Sequence, residues 1–225
     1  AEYLATGHYI KTKKLGQERG LFVAKDEDKD QSYFLFQTKK KDLDYLKFPL
    51  GNLDKSETRD LAHKFQIDVA DKPESQDICF IPDGNYTKFL SKYKGFGIEG
   101  DIVDKDGLVM GKHNGIENYT VGQRKRLNIA IGKPMFVTSI IKKENKIVVG
   151  EKKELEEETI NIKEFNWLGP YEKEKITHYK NLFVKVRARQ KPTIGHLELL
   201  DNNKARVTLE HKTSGVAKGQ GCVIY

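Results

Sequence analysis

Glu74-Ser75-Gln76-Asp77-Ile78-Cys79-Phe80-Ile81 sets one of the chain's two cysteines in a short apolar run behind a polar, acidic turn. Ile78, Phe80 and Ile81 are β-branched or aromatic, which predicts a buried strand with Cys79 near its exposed end. A thiol at the mouth of a strand acts as a nucleophile when its pKa is lowered and a substrate can reach it. A free cysteine in such a run can equally be a small hydrophobe in a core, the commoner fate. The surrounding sequence has to decide between the two.

Upstream, Tyr3-Leu4-Ala5 reads as a strand running into Thr6-Gly7-His8-Tyr9. A glycine and a histidine just past a strand suit close approach of a ligand, although His8 alone would pass for a turn histidine. Leu21 to Lys25 reads as a short strand. Asp30 is placed to cap a helix whose apolar face carries Tyr33, Phe34 and Phe36. Phe48-Pro49-Leu50-Gly51 makes a turn, and Ser56 starts an amphipathic helix with Leu61, Ala62 and Phe65 on one stripe and Glu57 in its first turn. Beyond Cys79, Tyr86, Phe89, Leu90 and Tyr93 recur at helical spacing. Alternating helices and strands predict α/β structure to about residue 95. Gly95-Phe96-Gly97-Ile98-Glu99-Gly100 matches the spacing of a dinucleotide fingerprint, but it follows a predicted helix and leads into a hairpin, so no phosphate site is expected there.

From Gly100 onward the texture is β. Lys105-Asp106-Gly107 joins Asp101 to Asp104 with Leu108 to Met110, and Lys142 to Asn145 joins Met135 to Ile141 with Lys146 to Gly150, two hairpins. Between them Tyr119-Thr120-Val121-Gly122-Gln123-Arg124-Lys125-Arg126 is a basic patch suited to phosphate and sugar contacts. Glu151 to Glu158 reads as a solvated acidic connector. Leu182 to Arg189 alternates apolar and basic residues, predicting a strand with Lys185, Arg187 and Arg189 on one face. His196 to Leu200 and Ala205 to Leu209 form a further hairpin, and Gly221 to Tyr225 begins a last strand with Cys222 in the core. Short strands at this spacing predict a small barrel. The expected fold is α+β and multidomain: the remnant of an α/β domain over 1–95, a small β-rich central domain over 96–160 and a C-terminal β-barrel over 161–225.

The 225 residues are 37% apolar and 32% charged, as in water-soluble globular proteins. No apolar run approaches a membrane span, and Ala1 to Gly7 has neither the basic start nor the apolar core of a secretory signal. Two cysteines make neither a disulfide framework nor a zinc knuckle, so a reducing cytoplasm is the expected location, with no membrane partner and no metal ligands. A net charge of +7 is compatible with a nucleic-acid partner.

Five blocks occur in order: Ala5-Thr6-Gly7-His8-Tyr9, Lys29-Asp30-Gln31-Ser32-Tyr33-Phe34-Leu35, Glu74 to Ile81, Tyr119 to Arg124, and Arg187-Ala188-Arg189-Gln190. The series resembles the bacterial tRNA-specific 2-thiouridylases, the MnmA/TrmU family. The resemblance implies an adenine-nucleotide hydrolase-like first domain and replacement of the C2 oxygen of the wobble uridine by sulfur. It implies ATP with Mg2+ to activate the oxygen as an adenylate, and a cysteine persulfide, loaded by a donor protein of a cysteine desulfurase relay, to supply the sulfur. By matching position it assigns Cys79 as the persulfide-bearing residue, Gly7 as a nucleotide contact, and His8, Lys29, Asp30, Gln31, Arg187, Ala188 and Gln220 as tRNA contacts. Ala188 stands where the family usually has Tyr, and Arg126 where a Gly is common. The family's phosphate-binding Ser-Gly-Gly-Val-Asp-Ser loop, and an earlier cysteine that forms a disulfide with the Cys79 counterpart, are expected before Ala1. The chain alone is therefore expected to be inactive. A non-catalytic RNA-binding module with Cys79 merely buried is the alternative, and a redox protein pairing Cys79 with Cys222 is a third reading.

Overall fold

A computed structural model describes residues 1–71, 89, 92, 97–129, 132–169 and 178–225. The chain divides into two compact units, one of Ala1–Pro73, Thr159–His211 and Gln220–Tyr225, the other of Glu74–Glu158 and Lys212–Gly219. The first unit is thus assembled from both ends of the sequence.

Strand β1 (Leu4–Ala5) is followed by β2 (Lys11–Leu15) and β3 (Glu18–Phe22), an antiparallel hairpin closed by Gly16-Gln17. Sequence reading misses β2, because Lys11-Thr12-Lys13-Lys14-Leu15 lacks the apolar alternation that marks a half-buried strand. The strand expected at Leu21 to Lys25 is β3, which ends at Phe22. Strand β4 (Leu46–Lys47) pairs with β1 in parallel, Leu4 opposite Leu46. In place of the helix expected behind Asp30 there is one 3-10 turn, Ser32–Leu35, with no side-chain cap. The Asp30 carboxylate that would have capped it is occupied by other donors.

Helix α1 (Lys55–Lys64) is capped by Asp54, so it starts ahead of Ser56. The Asp54 carboxylate accepts the Glu57 N–H at 2.9 Å and the Glu57 carboxylate accepts the Asp54 N–H at 2.8 Å, a reciprocal capping box. The Glu57 N–H bond, helped by the Ser56 hydroxyl and Lys25, pulls the Asp54 carboxyl down to about 2. No residue of α1 is buried: Leu61 is 36% exposed and Phe65, just past the helix, 67%. The apolar stripe exists, but periodicity marks a face without saying what covers it. The expected Cys79 strand lies outside the described residues, as does the helix at Tyr86 to Tyr93 apart from the helical Phe89 and Lys92, which donates to the Phe89 carbonyl at 3.3 Å.

The second unit carries β5 (Glu99–Val103), β6 (Val109–Asn114), β7 (Phe136–Ile141) and β8 (Lys146–Gly150) in one sheet of order β6-β5-β8-β7. Both expected hairpins form, and the central β5–β8 pair is parallel. Ile102, Leu127, Met135, Val137, Ile147 and Val149 make its core. The rejected glycine motif ends inside β5, as strand and not as the start of a helix. The acidic run is no solvated connector: Lys152–Leu155 is a 3-10 turn that buries Leu155, and Glu156 opens β9 (Glu156–Lys163).

Strands β10 (His178–Lys185), β11 (Thr193–Leu200), β12 (Lys204–Ser214) and β13 (Val223–Ile224) join β9 in a five-stranded sheet of order β13-β10-β11-β12-β9. Ala205, Val207 and Leu209 alternate into its core along β12. The expected basic face of Lys185, Arg187 and Arg189 does not form, because β10 stops at Lys185 and Val186 to Gln190 turns, with the Gln190 N–H bonded to the Arg187 carbonyl at 3.1 Å. Pro192 follows and cannot donate to a ladder, which suits the chain to a turn there. No helix among the described residues is long and apolar enough to cross a membrane.

One polar side chain in the second unit is nearly closed off from solvent. His113 is 2% exposed. Its Nδ1 accepts the Gly115 N–H at 3.1 Å, so Nε2 carries the ring proton and donates to the Asn145 carbonyl at 3.0 Å. The ring lies against Gly100, where an added Cβ would come within 2.6 Å of Nε2. Replacing His113 with alanine strands both backbone groups and leaves a cavity. The expected loss is ~2–4 kcal/mol, read in denaturant unfolding as a lower midpoint for this unit at unchanged slope.

Candidate nucleic-acid interface

The β1–β4 pairing carries the chain to Thr6, whose N–H donates to the Lys47 carbonyl at 3.0 Å. Gly7 and His8 follow. Gly7 is exposed, and a Cβ there would touch only Leu50 Cδ1 at 3.8 Å, so the backbone is open to a ligand. His8 is half-buried and held by Thr6, with Nδ1 2.8 Å from the hydroxyl and its N–H 3.3 Å from the same oxygen. The hydroxyl already accepts that N–H, so it can turn its own proton to Nδ1. Gln31 then clamps the next residue: its N–H donates to the Tyr9 carbonyl at 2.9 Å and its Oε1 accepts the Tyr9 N–H at 2.9 Å. The segments of Gly7-His8 and Lys29-Asp30-Gln31 are thereby joined as two strands would be.

Asp30 is bound more tightly still. Its carboxylate accepts the Ala24 N–H at 2.9 Å, the Ser32 N–H at 3.4 Å and the Ser32 hydroxyl at 2.6 Å. Asp30 and Gln31 therefore hold their loop as well as bordering the candidate surface, while Lys29 ends the 3-10 turn Glu27–Lys29 half-buried.

Three residues that sequence reading leaves out of the site bring the remaining candidates to it. Ser32, 7% exposed, stands 2.7 Å from the Tyr225 hydroxyl. An ionised carboxylate only accepts, so Ser32 donates to Asp30 and Tyr225 donates to Ser32. Burial raises the Tyr225 phenol's pKa, which keeps that donor protonated. Tyr33 Oη lies 3.0 Å from the Val186 carbonyl and 2.9 Å from the Gly221 carbonyl, sharing its single proton between them. Arg187 follows the first carbonyl and Gln220 precedes the second. Ala188 is half-buried in the same turn and Gln220 is exposed. The available signal was Ser-Tyr directly behind Asp-Gln, but Tyr33 at helical spacing reads as apolar packing.

Cys222 is a free thiol, so the Cys79–Cys222 pair of the redox reading is not formed, and burial pushes its pKa up to about 12. Cys79, and with it any disulfide to that residue, lies outside the described residues. Among the described residues no group of three or more His, Cys, Asp or Glu is placed to hold a metal ion.

In the second unit the basic patch is an ordered loop. The Gly122 N–H donates to the Val137 carbonyl at 2.8 Å, and Gln123 accepts the Thr120 N–H and donates to the Lys125 carbonyl. Arg124, Lys125 and Arg126 are exposed while Leu127 enters the core. Arg126 adopts φ of 64°, a left-handed conformation that glycine would take without strain. Beside it is an open cleft of about 440 Å³ lined by Arg124, Arg126, Asn128 and Lys133 among others. Lys133, 2.9 Å from Glu151, together with Lys153 holds that carboxyl at about 2.

Three family models match in succession: the tRNA methyl transferase HUP domain over 1–83, the tRNA methyl transferase PRC-barrel domain over 87–151 and the Aminomethyltransferase beta-barrel domain over 157–225. All 225 residues align with the tRNA-specific 2-thiouridylase MnmA of Hyphomonas neptunium, 44% identical over 227 residues and 57% of that protein. The Rickettsia felis protein of the same name is 44% identical over 228 residues, 61% of its length. The chain belongs to the MnmA family. It therefore combines a HUP-like domain with PRC-barrel-like and β-barrel domains, the α+β multidomain class expected from its sequence. It spans 57–61% of the length of these curated MnmA relatives.

The half-buried Cys222 supplies a direct check. Its folded-state pKa lies above the ordinary 9.0, so the folded chain keeps a proton that the unfolded chain releases. The contribution to stability is complete below about 9 and is lost as pH rises toward about 12. At pH 8, iodoacetamide is expected to modify Cys222 far more slowly in the folded protein than in guanidinium, read by peptide mass spectrometry; equal rates in both states contradict the raised thiol pKa.

Proposed function

We propose that the protein containing this chain converts the wobble uridine of certain tRNAs to 2-thiouridine, with Cys79 carrying the transferred sulfur. One observation supports this above others: 44% identity, across the whole chain, to proteins named tRNA-specific 2-thiouridylase MnmA. Two of the family models speak of methyl transfer in their descriptions, but each matches one segment, whereas the relatives match throughout.

A urea-like C2 carbonyl is a poor electrophile. When bound with Mg2+, ATP would supply the adenylyl group that makes its oxygen a leaving group, and Gly7 is the residue of this chain assigned to that nucleotide. Cys79 would hold a persulfide, whose outer sulfur is more acidic and more nucleophilic than a thiol. That sulfur attacks C2 and displaces the oxygen. A second thiol then takes the sulfur–sulfur bond, leaving a disulfide and freeing the thiocarbonyl. The target base must leave its stack to be reached, which requires a grip on the RNA from several sides. His8, Lys29, Asp30, Gln31, Arg187, Ala188 and Gln220 are assigned that grip, and the Arg124 to Arg126 loop adds phosphate contacts. We assign 1–95 to the catalytic domain, 96–160 to a central tRNA-binding domain and 161–225 to the barrel. The sulfur would come from a persulfide donor of a cysteine desulfurase relay in the cytoplasm. The 225 residues alone should bind tRNA without completing the thiolation.

With full-length protein, a cysteine desulfurase and radiolabelled cysteine, Cys79 is expected to acquire label and Cys222 to stay unlabelled. Cys79→Ser should bring 2-thiouridine formation to background while Cys222→Ser keeps it. Thiolation that survives Cys79→Ser sinks the assignment and favours the non-catalytic RNA-binding reading.

A further inference from the structure

The dipeptide Ser32-Tyr33 directly follows Lys29-Asp30-Gln31, and its bonds end beside three parts of the candidate tRNA surface. Ser32 is buried and passes one hydrogen-bond chain, from the Tyr225 hydroxyl through its own oxygen to the Asp30 carboxylate. Tyr33 carries the other bonds, one hydroxyl proton shared between the carbonyls of Val186 and Gly221. Those carbonyls belong to the residue before Arg187 and the residue after Gln220, in segments that approach Tyr33 from far along the sequence. Apolar packing supports the same joint. The Tyr33 ring meets Phe34 edge-on at 5.7 Å and tilts on Phe36 at 6.5 Å. Phe36 in turn packs so closely on Gly221 that a Cβ there would come within 3.1 Å of its ring.

We propose that Ser32 and Tyr33 are positioning residues for tRNA binding: they hold Lys29-Asp30-Gln31, Arg187 and Gln220 in one register without contacting RNA themselves. The inference rests on the tRNA reading above and adds the residues that make its contacts act together. Released from Tyr33, the Val186 to Gln190 turn loses a direct tie between the backbone beside Arg187 and the loop of Lys29. Phosphate contacts separately anchored by flexible side chains bind weakly, because each must be ordered anew on binding.

The test uses full-length protein and measures tRNA affinity against salt concentration for Tyr33→Phe, Arg187→Ala and the double variant. Phenylalanine keeps the ring and removes only the hydroxyl. The expected result is a loss of about tenfold for Tyr33→Phe and for Arg187→Ala, with the double variant within about twofold of Arg187→Ala alone, since coupled residues do not add. Both single variants should also lower the salt slope by about one, the signature of one lost phosphate contact; a general loosening of the fold does not produce that signature. Wild-type affinity in Tyr33→Phe, or losses that multiply in the double variant, overturns the positioning role. An Arg187→Ala protein that binds normally removes instead the contact on which the proposal rests, so the two failures are distinguishable. Should Tyr33→Phe lower the unfolding midpoint severely, Ser32→Ala paired with Lys29→Ala reads the same coupling through Asp30.

Discussion

Ser32 and Tyr33 bring polar oxygens into the contact between the first and last parts of the chain, and a buried hydroxyl without a partner costs ~1–3 kcal/mol. Besides Asp30, their partners are residues 186, 221 and 225, so the Tyr33 and Tyr225 hydroxyls are satisfied by bonds between the N-terminal segment and the C-terminal part of the chain. Asn166 extends the same logic, donating through Nδ2 to the carbonyls of Phe36 and Thr38 at 2.8 Å each, and Lys40 donates to the Gly169 carbonyl at 3.1 Å. Apart from the Ser32–Tyr225 hydroxyl pair, these are side-chain-to-backbone bonds between segments more than a hundred residues apart. They explain why the two ends of the chain make one compact unit while the middle makes another.

Under the proposed function this arrangement has a use. A folded tRNA presents phosphates and an extruded base at separated points, and rigid spacing among the protein's contacts is worth more than any one of them. The Tyr9–Gln31 pairing fixes His8 to the loop of Lys29, and the Tyr33 fork fixes that loop to Arg187 and Gln220. The conspicuous charges lie elsewhere, on the ordered loop of Arg124 to Arg126. Under the proposed function the first unit would supply geometry and the Arg124 to Arg126 loop unspecific electrostatic attraction, two contributions that RNA binding ordinarily combines.

Much of the β structure was legible in the sequence. Lys105-Asp106-Gly107, Lys142 to Asn145 and Asp201 to Lys204 all mark turns between β-rich runs, and each joins paired strands. Turn chemistry is local, so it survives translation into three dimensions. The failures have different causes. Strand β2 is hidden by lysines whose backbone pairs well whatever their side chains prefer. The basic alternation of Lys185, Arg187 and Arg189 looks like a strand face, yet β10 ends at its first member. In the candidate site, the resemblance named residues that border the surface but could not name Ser32, Tyr33 and Tyr225, because what joins those three is distance in space and not spacing in sequence.

The central claim is that separate segments of the first unit form one tRNA surface. Hydroxyl-radical footprinting of the full-length protein, with and without its tRNA, tests it most directly. The account predicts simultaneous protection of Lys29 to Gln31, Arg187 and Gln220 at one tRNA concentration midpoint, with Tyr33 unchanged in both states. Protection confined to Arg124 to Arg126, or separate midpoints for the three segments, would contradict it.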